Sequence, residues 1–203
     1  MSTRDRFRGH IAGVGSASGV RVVVGRWHTT PLGSFGDAMV ETAAGHRVLL
    51  APRQEVADFI AATYTFDEVR IEPFVVRGSA ERWAVRSHSL TLDLVVGRTT
   101  ALGVLLALVP RPLAQAPWWC AVTDLVARRV LRGVRTRGRT HDGRRREWYG
   151  ATGHRAVTAA SGTFDGADLG ALRPVEPPPG FGFSSTPPRP SVTRVVTTVE
   201  HDA

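Results

Sequence analysis

The six consecutive residues Arg144-Arg145-Arg146-Glu147-Trp148-Tyr149 bring together three guanidinium groups, a carboxylate and two aromatic faces. Arginine forks hold phosphate or carboxylate bidentately, and the two rings offer surfaces on which a base or an apolar ligand can stack. On a strand, alternation sends Arg144, Arg146 and Trp148 to one side and Arg145, Glu147 and Tyr149 to the other. These six residues are the expected ligand-binding site. The competing reading is a solvated arginine loop after a helix end. They also close a longer basic segment: Arg128 to Arg146 holds nine arginines and a single acid, Asp142. That segment carries +8, the net charge of the whole chain, so the remainder is neutral. Charge concentrated in this way attracts phosphates, carboxylates or an anionic surface. A small anionic or amphipathic molecule is the first expected partner. The alternative is nucleic acid or polyphosphate held by the Arg128–Arg146 arm, although no known nucleic-acid module is recognisable there. A third reading sets Trp118 and Trp119 into an anionic membrane surface beside the arginines.

Other reactive groups are scattered. Asp37 and Glu41 stand four apart, Asp67 and Glu68 are adjacent, and Glu147 follows three arginines that would hold it ionised. His28, His46 and His88 fall on expected strands and could face a shared pocket. His141 beside Asp142 has ligand chemistry, but an arginine-rich loop repels divalent cations, so no metal is expected. Gly13-Val14-Gly15-Ser16-Ala17-Ser18-Gly19 is superficially like a dinucleotide loop. The run Val20-Arg21-Val22-Val23-Val24 that follows reads as a strand, whereas such a loop needs a helix there, so a hairpin turn is expected. No residue set declares itself catalytic.

Composition excludes more than it assigns. All 26 basic residues are arginine and there is no lysine. Schiff-base catalysis, pyridoxal phosphate attachment and a phosphate-binding P-loop lysine are therefore absent, and no cofactor is expected. Asparagine is missing too and isoleucine is scarce, the mark of a GC-rich genome, which by itself inflates arginine. The one cysteine, Cys120, leaves no intramolecular disulfide and no cysteine-rich metal site, and its tryptophan and alanine neighbours suggest a buried thiol. The polar start of the chain does not read as a signal peptide. The longest apolar run, Ala101 to Val109, is about half the ~20 residues that span a bilayer. The expectation is a cytoplasmic protein without a transmembrane segment, its oligomeric state open.

The elements that must position these groups follow from periodicity. Arg6–Val14, Val20–His28, Ala38–Thr42, His46–Leu50, Glu68–Val76, Arg82–Val96, Glu147–Tyr149, Arg155–Thr163 and Ser191–Glu200 read as strands. Pro52 opens a short helix with Val56, Phe59 and Ile60 along one stripe. Thr100–Val109 and Pro117–Arg132 read as two helices joined by a proline-containing turn. Residues 173–190 contain seven of the 13 prolines, yet Phe181 and Phe183 lie inside. That stretch is expected to be an ordered belt leading to a C-terminal strand. The predicted fold is one α+β domain spanning 1–203, an antiparallel barrel-like sheet with a late helix pair packed on it.

This order of elements resembles the acetoacetate decarboxylase-like β-barrel group. The stretches that carry the resemblance are Gly97-Arg98-Thr99-Thr100 into the helices, Arg146-Glu147-Trp148-Tyr149-Gly150, and the closing Pro190-Ser191-Val192-Thr193-Arg194-Val195-Val196-Thr197-Thr198-Val199. It spans most of the chain and rests on layout. Those decarboxylases act through a lysine Schiff base, which a chain without lysine cannot form. The resemblance therefore implies a fold and a carboxylate-sized pocket, with no catalytic residue carried over.

Overall fold

Long alternating strands dominate, and the computed structural model describes residues 2–110, 137–139, 145–182 and 186–202. Its spine is a sheet of β1 (Ser2–Ser16), β2 (Arg21–Thr29), β3 (Phe35–Glu41), β4 (Arg47–Ala51), β5 (Glu68–Ile71), β6 (Val75–Gly78), β7 (Arg82–Arg86), β8 (Leu90–Thr99), β10 (Arg145–Phe164) and β13 (Ser191–Asp202). Their order across the sheet is β5-β4-β3-β2-β1-β13-β10-β8-β7-β6. Three short strands attach to it: β9 (Arg137–Arg139) and β11 (Ala167–Asp168) pair with β10, and β12 (Leu172–Arg173) pairs with β1. β1 and β13 pair over twelve positions from Ser2↔Asp202 to Gly13↔Ser191, so the two ends of the chain lie side by side at the centre of the sheet.

The sheet curls. Arg26 on β2 donates from Nη1 to the Gly78 carbonyl of β6 at 2.9 Å, although these strands are far apart in the sheet order. One face closes on itself as a core containing Val22, Val24, Val40 and Val48 from the first strands and Trp83, Val85, Leu92 and Leu94 from the later ones. The opposite face of the first strands is covered by helix α1 (Gln54–Ala61), where Leu49, Ala51, Val56 and Ala57 form a second buried cluster. Helix α2 (Ala101–Leu108) begins at Thr100, whose hydroxyl accepts from the Gly103 amide at 3.1 Å and bonds His154 Nδ1 at 2.8 Å. α2 therefore starts against β10.

The structure corrects the predicted fold in its sheet, its helices and its strand boundaries. The sheet is mixed, because β4 and β5 pair in parallel from Val48↔Glu68 to Ala51↔Ile71. Parallel neighbours need a crossover, and α1 supplies it; the helix begins at Gln54 behind its N-cap Arg53, two residues beyond the expected opening at Pro52. The helix pair is not clearly late: α1 precedes β5, α2 follows β8, and the second expected helix, Pro117–Arg132, lies outside the described residues together with Cys120, Trp118 and Trp119. Two expected strands are also divided. Glu72-Pro73-Phe74 separates β5 from β6, since proline cannot donate to the ladder, and Ser87-His88-Ser89 turns β7 into β8. Conversely, Glu147–Tyr149 and Arg155–Thr163 belong to one 20-residue strand, β10, kept continuous by register shifts near Ala151 and Val157.

A candidate site around a buried carboxyl

Strand alternation places Val23, Gly25 and Trp27 of β2 and Phe35, Asp37 and Met39 of β3 on the face beneath α1. Phe7 and Ile11 of β1, Thr197 and Val199 of β13 and Tyr149 of β10 continue that surface. Phe59 and Ile60 of α1, Tyr64 just beyond it, and Phe181 and Thr186 of the C-terminal belt roof it over. Between them lies a cavity of about 70 Å³. A single water needs on the order of 10–15 Å³, so this space admits several waters or a group of a few heavy atoms. The wall is mostly aromatic and aliphatic: the Phe7 ring lies 4.7 Å from that of Phe59 and 6.0 Å from that of Trp27, the latter edge-on.

One carboxyl interrupts this apolar lining. Asp37 is 5% exposed and accepts from Trp27 Nε1 at 2.8 Å. Burial pushes its pKa up to about 7, against the smaller opposing effect of the indole hydrogen bond. Near neutrality Asp37 is therefore divided between acid and carboxylate, able to donate or to accept a proton within the cavity. Hydroxyl-bearing side chains also line the cavity. The Tyr64 and Tyr149 hydroxyls bond one another. Thr197, opposite Tyr149 in the β10–β13 ladder, has a buried hydroxyl without a hydrogen-bond partner. An orphan of this kind costs about 1–3 kcal/mol in a folded protein unless a water or a guest in the cavity bonds it.

The belt is tied in by a second acid of β3. Glu41 meets Arg21 Nη2 at 2.5 Å, both nearly buried, and its other oxygen accepts from the Gly180 amide. The neighbouring Phe181 carbonyl accepts from the Thr65 amide at 2.8 Å, and its ring is 2% exposed. Residues 180–182 are thereby fastened across the end of the cavity.

Of the residues singled out from the sequence, Tyr149 lines this cavity, while Trp148 is buried and does not. Arg145, Arg146 and Glu147 lie on β10 in register with His201, Glu200 and Val199. Arg144 lies outside the described residues, as do His141, Asp142 and most of the Arg128–Arg146 arm. The other carboxylates have local duties. Asp67 is clasped by Arg47, and Glu68 bonds His46 and Arg70, and these contacts hold both below the usual carboxylate range. The three histidines part ways: His28 stands beside His10, His46 pairs with Glu68, and His88 occupies the β7–β8 turn. Gly13–Gly19 forms the expected hairpin, closed by Gly19 at φ +82°.

Trp27, Tyr64, Phe181 and Thr197 were not foreseen. For Asp37 the sequence carried a sharper signal than its spacing from Glu41: in Phe35-Gly36-Asp37-Ala38-Met39, Asp37 shares a strand face with Phe35 and Met39, an acid at an apolar position.

No family profile matches the chain, and no curated protein matches it. Its layout is similar to the crystal structure of acetoacetate decarboxylase from Legionella pneumophila, at 7% identity and TM-score 0.46, over 97% of this chain and 84% of that one. A Nitrosomonas europaea structure named provisionally as AttH aligns at 11% identity and TM-score 0.31, over 99% of this chain and 52% of that one. No residue role transfers at these identities.

Proposed function

We propose that the chain binds a small amphipathic molecule in the cavity around Asp37, without lysine Schiff-base chemistry. The observation that carries this reading is a titratable carboxyl, 5% exposed, in the wall of a mostly apolar cavity that is also lined by a buried hydroxyl with no hydrogen-bond partner among the described residues. An apolar wall with a few convergent polar groups is the usual make-up of a small-molecule site. Asp37 or Thr197 would take the polar end of the guest, and Phe7, Phe59 and Phe181 its apolar body. A neutral polar end suits the cavity better than an anionic one. Among the described residues no arginine lines it, and a carboxylate beside Asp37 would add like charge in a dry space.

The test is a thermal-shift and NMR screen of matched small alcohols, amides, ketones and carboxylates, reading the Trp27 indole N–H resonance. Neutral members are expected to raise Tm and move that resonance, and the carboxylates to do less at pH 8. If no compound at millimolar concentration moves either signal, or if Phe181→Ala leaves every shift unchanged, the reading fails.

A further inference from the structure

On the opposite face of the sheet, away from α1, a second depression of about 280 Å³ is lined by Arg8, His10, His28, Thr152 and Arg194. We propose that it binds the phosphoryl group of a phosphomonoester. Among the described residues its charged and titratable lining is cationic or imidazole, and no carboxylate lines it. On β1, alternation sends Asp5 to the α1 face, and Glu200 of β13 is taken by Arg4 at 2.7 Å.

The cationic groups are brought together by register. His10 stands opposite Arg26 on β2 and opposite Arg194 on β13, so one imidazole has a guanidinium on each flanking strand. Two of the guanidinium groups are held in place. Arg194 donates from Nε to Thr152 Oγ1 at 3.0 Å and lines the depression, whereas Arg26, anchored by the Gly78 carbonyl with its guanidinium 5.9 Å from the centre of the Trp83 ring, does not line it and acts on His10 through its charge alone. Arg194 thus keeps its two terminal nitrogens for a ligand, and Arg8 is exposed at the rim. Guanidinium pairs bracketing a tetrahedral oxyanion give bidentate, charge-assisted bonds.

The histidines report on occupancy. His10 Nδ1 lies 3.3 Å from His28 Nε2. Burial and then His28, Arg26 and Arg194 bring the His10 pKa down to about 4, while burial and Arg26 lower that of His28. Arg8, Arg26, His28 and Arg194 are the charged or titratable neighbours of His10, and Trp83 packs edge-on at 6.1 Å. An anion among these cations offsets their repulsion, so it favours protonated His10. Reciprocally, protonation of His10 strengthens anion binding.

The experiment follows the His10 and His28 imidazole C–H signals of the full chain by NMR. Inorganic phosphate and phenyl phosphate are titrated, with acetate and chloride at equal ionic strength as controls. A saturable shift at both histidines is expected from the two phosphates alone, with the His10 titration midpoint raised by roughly one unit. Arg194→Ala and Arg8→Gln should each weaken phenyl phosphate binding roughly tenfold, and Arg173→Ala, at an exposed arginine paired with the far end of β1, should leave it unchanged. Should Arg194→Ala lower Tm by loosening Thr152, the exposed Arg8→Gln carries the test. Shifts that do not saturate, that acetate reproduces, or that survive both arginine substitutions would overturn the proposal. So would an RNA oligonucleotide that binds where phenyl phosphate does not. None of these outcomes depends on the cavity around Asp37.

Discussion

Gly25 lies directly across the β2–β3 ladder from Asp37, and a methyl group at Gly25 would sit 2.2 Å from Asp37 Oδ1 and 2.5 Å from Trp27 Nε1. The missing side chain is the space in which the carboxyl and the indole meet. Gly25→Ala must therefore break that hydrogen bond or push β2 from β3. Overpacking and loss of the bond together are expected to lower stability by at least ~2 kcal/mol. Urea denaturation at pH 5, where Asp37 is mostly protonated, measures it. An unchanged midpoint would show that the cavity absorbs the methyl group.

Asp37 also makes a distinct pH dependence. Its folded pKa of about 7 lies above the ordinary 3.8, so the native state holds the proton more tightly than the unfolded chain. Its contribution is full below pH ~4, falls as pH rises, and is exhausted above pH ~7, with a ceiling of about 4 kcal/mol. Asp37→Asn removes this titration. The stability of the variant relative to the native protein should therefore climb from pH 4 to 8. Parallel stability curves for the two proteins over that range would assign the titration elsewhere.

The sheet was legible because alternation is local: β1, β2, β3, β4 and β13 read from their own residues within a few positions of their ends. The breaks at Pro73 and at Ser87-His88-Ser89 were less so, since a short turn inside an apolar run leaves the average pattern intact. The site was legible only in part. Tyr149 and Asp37 come from strands 112 positions apart in the chain, which meet through the β1–β13 pairing of the two chain ends. No window of sequence contains that pairing. The dense arginine segment drew attention by charge, whereas the cavity depends on one acid at an apolar position.

The belt hangs on Glu41, which holds Arg21 with one carboxylate oxygen and the Gly180 amide with the other. Removing the charge strands the Arg21 guanidinium, which is 8% exposed and already has an unpartnered Nε. Glu41→Gln is expected to cost about 3 kcal/mol, and Arg21→Met combined with Glu41→Leu to recover much of it. Hydrogen exchange at Gly180, Phe181 and Gly182 should accelerate before that of β1 or β13. Uniform acceleration across all of these amides would mean that the ion pair holds the sheet and not the belt.

Thr197 separates stability from binding. Its hydroxyl is buried, has no hydrogen-bond partner, and lies in the cavity wall opposite Tyr149. Valine keeps the branched shape and suits a strand equally well, while it removes the desolvated oxygen. Thr197→Val is therefore expected to raise stability by about 1 kcal/mol. If the hydroxyl receives the polar end of a guest, the same change weakens a compound found in the screen, by roughly tenfold for one lost hydrogen bond. Thermal unfolding with and without that compound reads both effects from one pair of samples. A rise in Tm with undiminished affinity would leave the hydroxyl without a part in binding. Lower stability would mean that Thr197 has a partner in the folded protein and that the cavity offers a guest only Asp37 and the two tyrosines.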